Sequence, residues 1–147
     1  MSNKVKVLIV EDDFLIADMA EEFLVQHGLE VCGIASTVEA AVALGRRHKP
    51  DLAMIDYRLA DGGLGTEVGI RLRAAGDVGI LYATGNYAAC ADAVGEGSIG
   101  KPYSAEALIR SLEVVGDIRA SGATLRPFPL GFRLLKGARL RRAEPPS

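Results

Sequence analysis

Short, nearly continuous apolar runs alternate along the chain with stretches whose apolar residues recur every three or four positions. The apolar runs predict five strands buried on both faces, as in a parallel sheet, and they lie at residues 5–10, 31–35, 52–55, 78–83 and 98–100. The stretches between and after them predict five helices, the fourth being short and Ala-rich at about residues 87–94. This alternation predicts a doubly wound α/β fold with helices on both faces of a five-stranded parallel sheet.

Polar residues follow these strands at the points where the apolar runs end. Glu11 and Asp12 follow the first strand, Asp56 the third, Thr84 the fourth and Lys101 the fifth. In open parallel sheets, ligands bind outside the carboxyl ends of the strands, so we expect these side chains to share one pocket. Each residue taken alone has an ordinary interpretation, as a turn residue, a helix cap or a surface lysine. Their joint placement favours a functional site.

The residue types indicate phosphoryl transfer to an aspartate. Several carboxylates at close range repel one another unless a cation compensates, and hard oxygen ligands suit Mg²⁺. We assign Asp56 as the nucleophile and as a metal ligand, Asp12 as a direct Mg²⁺ ligand, Glu11 as a ligand through water and the Arg58 carbonyl as a further oxygen. Two groups would then serve the phosphoryl group: Lys101 pairs with it, and the Thr84 hydroxyl hydrogen-bonds it after transfer. Asp13 fits better as the N-cap of the first helix.

The same residues carry a resemblance to a known family. The sequence resembles the receiver domain of bacterial response regulators over about residues 4–118, and the matching residues are Glu11-Asp12, Asp56, Thr84 and Lys101-Pro102. The resemblance implies a flavodoxin-like strand order, 2-1-3-4-5, and a cis peptide between Lys101 and Pro102. It also implies that Asp56 accepts a phosphoryl group from a histidine kinase or a histidine phosphotransfer protein.

One position departs from the family pattern. Receivers commonly carry an aromatic switch residue three positions before the lysine, where this chain has Ser98. The run from Leu81 to Tyr87 instead resembles the FATGUY signature of an alphaproteobacterial, mostly single-domain receiver subgroup, which makes Tyr87 the candidate switch aromatic beside Thr84. Arg58 and Asn86 occupy the positions that tune phosphate lifetime in the family.

Composition and charge limit the cellular setting and separate the tail from the body. The N-terminus shows no signal-peptide pattern, no apolar stretch has the roughly 18 residues of a membrane span, and the two cysteines lie outside any metal motif, so we expect a cytoplasmic protein with reduced thiols. The net charge of −2 divides into −7 over residues 1–120 and +5 over residues 121–147. We therefore predict a receiver domain at 1–120 and a basic C-terminal extension at 121–147 that forms no separate domain.

The tail has three possible arrangements. Leu130, Phe132 and Leu134 alternate, which suits an extended segment packing along the body or along a partner, and the basic end at 139–142 suits an acidic surface. A partly disordered, charged terminus is the other interpretation. The acidic body argues against direct nucleic-acid binding.

The predicted function is a single-domain response regulator that signals through protein contacts and is not itself an enzyme with a substrate. Phosphorylation would reshape the face formed by the predicted fourth helix, fifth strand and fifth helix, which a downstream protein target would bind. One alternative is a phosphatase of the haloacid dehalogenase type, but such enzymes need a second acid two residues after the nucleophile, where this chain has Arg58. The other alternative is a receiver-like interaction module that binds without being phosphorylated.

Overall fold

The computed structural model describes residues 4–141, and within this range it shows one six-stranded sheet and four α-helices. The strands are β1 (Lys6–Val10), β2 (Glu30–Ala35), β3 (Leu52–Asp56), β4 (Gly79–Thr84), β5 (Gly97–Gly100) and β6 (Phe132–Leu134). The helices are α1 (Phe14–Gln26), α2 (Val38–His48), α3 (Gly65–Ala75) and α4 (Ala105–Ser121), with 3₁₀ turns at Ala60–Gly62 and Tyr87–Ala89. None of these helices is long and apolar enough to cross a membrane.

The sheet has the order β2-β1-β3-β4-β5-β6, and its first five strands are parallel. The predicted fold class and the order 2-1-3-4-5 are therefore confirmed. An additional antiparallel strand, β6, extends the sheet beyond β5.

Two apolar cores lie on the two faces of the sheet. Val7 and Ile9 pack on the face covered by α1 and α4, whereas Leu8 and Val10 pack on the face covered by α2 and α3. Because successive side chains of a strand point to opposite faces, burial on both sides requires an uninterrupted apolar run. This packing fixes the register of the strands and therefore the position of the polar residues that follow them.

Short polar side chains cap three of the four α-helices, whereas Leu64 at the start of α3 makes no side-chain cap. The Asp13 carboxylate accepts hydrogen bonds from the backbone N–H groups of Leu15 at 2.9 Å and Ile16 at 3.2 Å, which confirms its predicted role. Thr37 caps α2 and Ser104 caps α4 in the same way. Two to four residues separate the three capped helices from the strands that precede them, whereas eight residues separate β3 from α3.

The predicted fourth helix is wrong. Residues 87–89 form only a 3₁₀ turn, and irregular turns continue from there to β5. Asn86 makes no side-chain cap. The Ala91 carbonyl accepts a hydrogen bond from the Lys136 N–H at 3.3 Å, and the Val94 carbonyl accepts one from the Tyr82 hydroxyl at 2.7 Å. Tertiary contacts therefore take the place of helical hydrogen bonds in this segment.

The alternating tail packs along the body, as one of the predicted arrangements proposed. Phe132, Arg133 and Leu134 pair antiparallel with Ile99, Ser98 and Gly97, respectively. The predicted basic end includes Arg142, which lies outside the described residues, as do the first three residues and the remainder of the C-terminus. Within residues 121–141 the chain extends the existing sheet.

Candidate functional site

Three carboxyl groups meet at the carboxyl end of the sheet. Glu11 directly follows β1 and donates its backbone N–H to the Ala35 carbonyl at 2.9 Å, which holds it between β1 and β2. Asp56 is the last residue of β3, the neighbour of β1 on its other side. Glu11, Asp12 and Asp56 each place a carboxylate oxygen within 4.8 Å of the others. The structure thus brings together the three acids that were predicted to share a site.

Lys101 joins two of these acids. Its Nζ donates to Asp56 Oδ1 at 2.9 Å and to Glu11 Oε1 at 3.2 Å. The Lys101 backbone is fixed by a hydrogen bond from its N–H to the Thr84 carbonyl at 3.1 Å, and the Lys101–Pro102 peptide is cis, as the resemblance implied. The ammonium group therefore already contacts the oxygen of the proposed nucleophile.

The acidic cluster is short of positive charge. Burial, the hydrogen bond to Asp56 and the charge of Asp56 together raise the pKa of Glu11 to about 7 from its ordinary value of 4.5, although Lys101 opposes the change. Burial alone would lower the pKa of Lys101, but its hydrogen bond to Asp56 and the nearby acids outweigh that effect and raise the pKa. Burial and the same acids raise the pKa of Tyr103 to about 12. A single ammonium does not neutralise the site.

The donor set therefore fits a small hard cation. The three acids offer only oxygen ligands, and Asp12 is exposed to solvent, which leaves room for the waters that Mg²⁺ retains. The raised pKa of Glu11 indicates that the Lys101 ammonium alone does not compensate the charge of the acids. A divalent ion would supply the additional positive charge. Glu11, Asp12 and Asp56 are the residues that would hold it.

An open cleft of about 580 Å³ adjoins the acids, and its lining includes Asp56, Arg58, Thr84, Asn86 and Lys101. The Thr84 side chain is nearly buried. Its hydroxyl accepts a hydrogen bond from the Asn86 N–H at 3.0 Å and lies 3.3 Å from the Asn86 carbonyl, to which it donates. The predicted hydroxyl and the two predicted lifetime positions thus border the same space.

The flanking positions differ in their exposure to solvent. Arg58 and Asn86 are exposed, and the Arg58 guanidinium lies over the Tyr57 ring at 5.7 Å from its centroid. Tyr87 is half-buried, and its hydroxyl donates to the carbonyl of Leu134 in the C-terminal segment at 3.1 Å. Ser98, at the usual aromatic position, is buried in β5.

Sequence reasoning missed the part that Gly65 plays in building this site. Gly65 begins α3 and donates its N–H to the Tyr57 carbonyl at 2.6 Å. A Cβ at this position would lie 2.1 Å from the Asp56 carbonyl oxygen. The Gly-rich run after Asp56 is the sequence signal for this close approach.

A buried ion-pair cluster at the opposite end of β4 and β5 was also missed. Glu96 is fully buried, and its carboxylate accepts from Arg73 at 2.7 Å, from the Ile80 N–H at 3.0 Å and from Arg139 at 3.2 Å. In the sequence, Glu96 lies between two glycines just before a short apolar strand, and this pattern does not indicate a buried ion pair.

The chain belongs to the response regulator receiver domain family, whose model matches residues 7–113. Two-component signalling is the setting in which this family acts, and its members typically bind Mg²⁺.

Solved receiver structures and a curated relative agree with this assignment. The receiver domain of a modulated diguanylate cyclase from Desulfovibrio desulfuricans G20 is 28% identical, with a TM-score of 0.73 over 80% of this chain and 98% of that one. The response regulator PhyR from Brucella abortus is 26% identical, with a TM-score of 0.63 over 70% of this chain and 44% of that one. The transcriptional regulatory protein PdtaR of Mycobacterium tuberculosis is 41% identical over 54 residues, 37% of this chain and 26% of PdtaR. The chain thus matches about a quarter of the length of that curated relative.

Proposed function

We propose that this chain is a response regulator whose Asp56 accepts a phosphoryl group from a histidine kinase or a histidine phosphotransfer protein. The observation that carries the proposal is the contact of Lys101 Nζ with Asp56 Oδ1 at 2.9 Å, inside a cluster of three acids that this single ammonium does not neutralise. Nucleophile, ammonium and cation ligands are the groups that phosphoryl transfer requires.

In the proposed reaction, an Asp56 carboxylate oxygen attacks the phosphorus of a phosphohistidine. The new O–P bond forms as the P–N bond to the donor imidazole breaks, and the departing imidazole takes up a proton from solvent. Lys101 shifts from pairing with two carboxylates to pairing with the transferred group, and the Thr84 hydroxyl turns toward it. No substrate is turned over beyond slow hydrolysis of the acyl phosphate, so the chain acts as a phosphoacceptor and not as an enzyme with an external substrate.

Mg²⁺, when bound, neutralises negative charge on the phosphoryl oxygens. Asp12 and Asp56 would bind it directly, Glu11 through water, and the Arg58 backbone carbonyl would add an oxygen. Arg58 and Asn86 border the path of hydrolytic water and would tune how long the phosphoryl group persists. The reduced thiols of Cys32 and Cys90 fit the cytoplasm, where we place this activity.

The signal would be read through protein contacts rather than through nucleic acid or a membrane. Thr84 and Tyr87 would act as the switch residues, and Tyr87 would place the chain in the FATGUY subgroup. The predicted output face included a fourth helix, but residues 87–94 form turns instead. A downstream protein target would therefore read β5, α4 and the turns at residues 87–94.

Two alternatives are less well supported by the site. A haloacid-dehalogenase-type phosphatase needs an acid two residues after the nucleophile, but this position holds Arg58, whose guanidinium lies over Tyr57. A receiver-like module that binds without phosphorylation would not need the Lys101–Asp56 contact. Turnover of a phosphate ester would favour the first alternative, and failure to bind beryllofluoride with Mg²⁺ would favour the second.

The decisive experiment is phosphorylation of the Asp56→Ala variant. Wild-type protein incubated with Mg²⁺ and either acetyl phosphate or a phosphorylated histidine kinase should gain one phosphoryl group by intact mass spectrometry, and Asp56→Ala should gain none. Asp18→Ala, which removes an exposed acid of α1, is the matched control and should label like the wild type. Undiminished labelling of Asp56→Ala would show that another residue is the acceptor.

A further inference from the structure

The outer edge of β5 is occupied by the chain's own C-terminal segment, residues 122–141. Besides the β5–β6 pairing, the Leu135 N–H donates to the Glu96 carbonyl at 3.0 Å, and the Gly100 N–H donates to the Gly131 carbonyl at 3.1 Å. An unpaired sheet edge readily accepts an extended segment. The face proposed above for a downstream target is therefore partly covered in this structure.

Two side chains anchor the C-terminal segment. Phe132 is nearly buried and lies over Gly97, where an added Cβ would come within 2.4 Å of its ring. Arg139 pairs with Asp77 and with buried Glu96, and it also donates to the Val78 carbonyl at 3.2 Å. The β5 edge thus presents an aromatic slot above a glycine and, further along, an acidic pair that receives an arginine.

Tyr87 connects this segment to the phosphoacceptor site. Its hydroxyl donates to the Leu134 carbonyl at 3.1 Å, and the Arg133 guanidinium lies 4.7 Å from its ring centroid. One residue before Tyr87, both backbone polar groups of Asn86 hydrogen-bond the Thr84 hydroxyl. A movement of that hydroxyl therefore reaches the C-terminal segment through two adjacent residues.

We propose that the β5 edge is a recognition edge for an extended segment carrying an aromatic residue followed by an arginine, and that residues 122–141 fill it as an internal ligand until phosphorylation releases them. The release of the segment by phosphorylation rests on the proposed function, whereas the recognition of an extended segment by the β5 edge does not. The partner that replaces the segment would be a protein strand of the same chemistry, aromatic and basic, matching Gly97, Glu96 and Asp77.

The direction of the switch follows from the Thr84 hydroxyl. This group cannot donate both to the Asn86 carbonyl and to a phosphoryl oxygen on Asp56, because a hydroxyl has one proton to donate. Donation to the phosphoryl group would free the Asn86 carbonyl and let residues 85–87 move. Tyr87 would then lose its alignment with Leu134 and Arg133, which weakens the hold on β6.

Hydrogen exchange on the full chain tests the trigger. The amides of Leu135 and Lys136 should be protected in the unmodified protein and should exchange about tenfold faster with Mg²⁺ and beryllofluoride. Binding of beryllofluoride is followed separately by ¹⁹F NMR. Absence of binding would count against the proposed function, whereas binding with unchanged or increased protection of these amides would overturn the inferred release.

Matched variants test the coupling through Tyr87. Tyr87→Ala should exchange quickly at both amides in either state, because it lacks both contacts with the C-terminal segment. Leu130→Ala changes a fully exposed side chain of the same segment and should behave like the wild type. A Tyr87→Ala protein that retains wild-type protection and the full response to beryllofluoride would disprove the coupling.

A peptide test examines the recognition edge without phosphorylation. A fluorescent peptide with the sequence of residues 127–141 should bind a full chain carrying Phe132→Ala and Arg139→Ala, in which the internal ligand has lost its anchors. Adding Gly97→Ala, which fills the aromatic slot, should weaken binding at least tenfold. Circular dichroism checks folding, and Arg139→Ala alone replaces the double variant if that variant is unfolded. Failure of the peptide to bind the folded variant, or equal binding after Gly97→Ala, would overturn the recognition edge.

Discussion

Replacing Gly65 with alanine should damage the phosphoacceptor site through the backbone alone. The new Cβ would lie 2.1 Å from the Asp56 carbonyl oxygen and 2.8 Å from Ile55 Cγ2. Ordinary van der Waals contact begins at 3.4 Å, so α3 and the end of β3 must move apart by about 1.3 Å. Because the nearest atom belongs to the backbone, a change of side-chain rotamer cannot relieve the overlap.

Both stability and reactivity should fall. Overpacking of this kind costs about 1–3 kcal/mol, which for a chain of this size corresponds to a fall in Tm of roughly 2–12 °C. A displacement of about 1 Å at a reacting group costs on the order of a hundredfold in rate. We therefore expect Gly65→Ala to be phosphorylated by acetyl phosphate about 10²-fold more slowly, measured at a temperature where circular dichroism shows it fully folded.

Gly76→Ala is the matched control at the other end of α3. Its backbone is extended, with φ of −179°, and an added Cβ would meet no atom within 4 Å. This variant should stay within about 0.5 kcal/mol of the wild type and keep its rate of phosphorylation. If Gly65→Ala matched Gly76→Ala in both Tm and rate, the close approach of α3 to β3 would not be what positions Asp56.

Three further perturbations address the charges. In metal-free protein the pKa of Glu11 is raised, so the folded state binds one more proton than the unfolded state between about pH 4.5 and 7. Binding of this proton stabilises the folded state fully below pH 4.5, and the stabilisation is lost as the pH rises through about 7. Urea unfolding should therefore show wild-type stability falling relative to Glu11→Gln by up to about 3 kcal/mol from pH 4 to 8, and a difference independent of pH would contradict the assignment. Lys101→Met should slow phosphorylation by about 10²-fold or more in the acetyl phosphate assay, and a wild-type rate would exclude Lys101 from the reaction. Glu96→Ala should cost about 3–5 kcal/mol because it leaves the guanidinium groups of Arg73 and Arg139 without their buried partner. Arg139→Ala should cost less, because Arg73 and the Ile80 N–H still contact the Glu96 carboxylate; equal losses on thermal unfolding would contradict this ranking.

Some of the site could be predicted because its residues directly follow apolar strands. Once Val7–Val10 and Leu52–Ile55 are recognised as neighbouring buried strands, Glu11 and Asp56 must emerge at the same edge of the sheet. The Asp13 cap was likewise predictable, because a cap bonds to residues two and three positions away.

The fourth helix shows the limit of local reasoning. Alanine-rich residues 88–93 favour a helix by intrinsic propensity, yet the Ala91 carbonyl pairs with the N–H of Lys136, 45 positions away. Helix propensity is worth less than about 1 kcal/mol per residue. The contacts that residues 88–93 make with the C-terminal segment therefore override it. The pattern at Phe132–Leu134 predicted an extended tail, but nothing nearby in the chain specified β5 as its partner.

By itself, then, the sequence determined the alternation of strands and helices, the burial of the sheet and the edge at which the reactive groups collect, because periodicity and the order of residues are local properties. Only the tertiary structure decided that Lys101 bridges Asp56 and Glu11, that Gly65 approaches Asp56, and that the C-terminal segment closes the edge of β5 above Glu96. These contacts join residues far apart in the chain, and their geometry depends on how the packed layers bring those residues together.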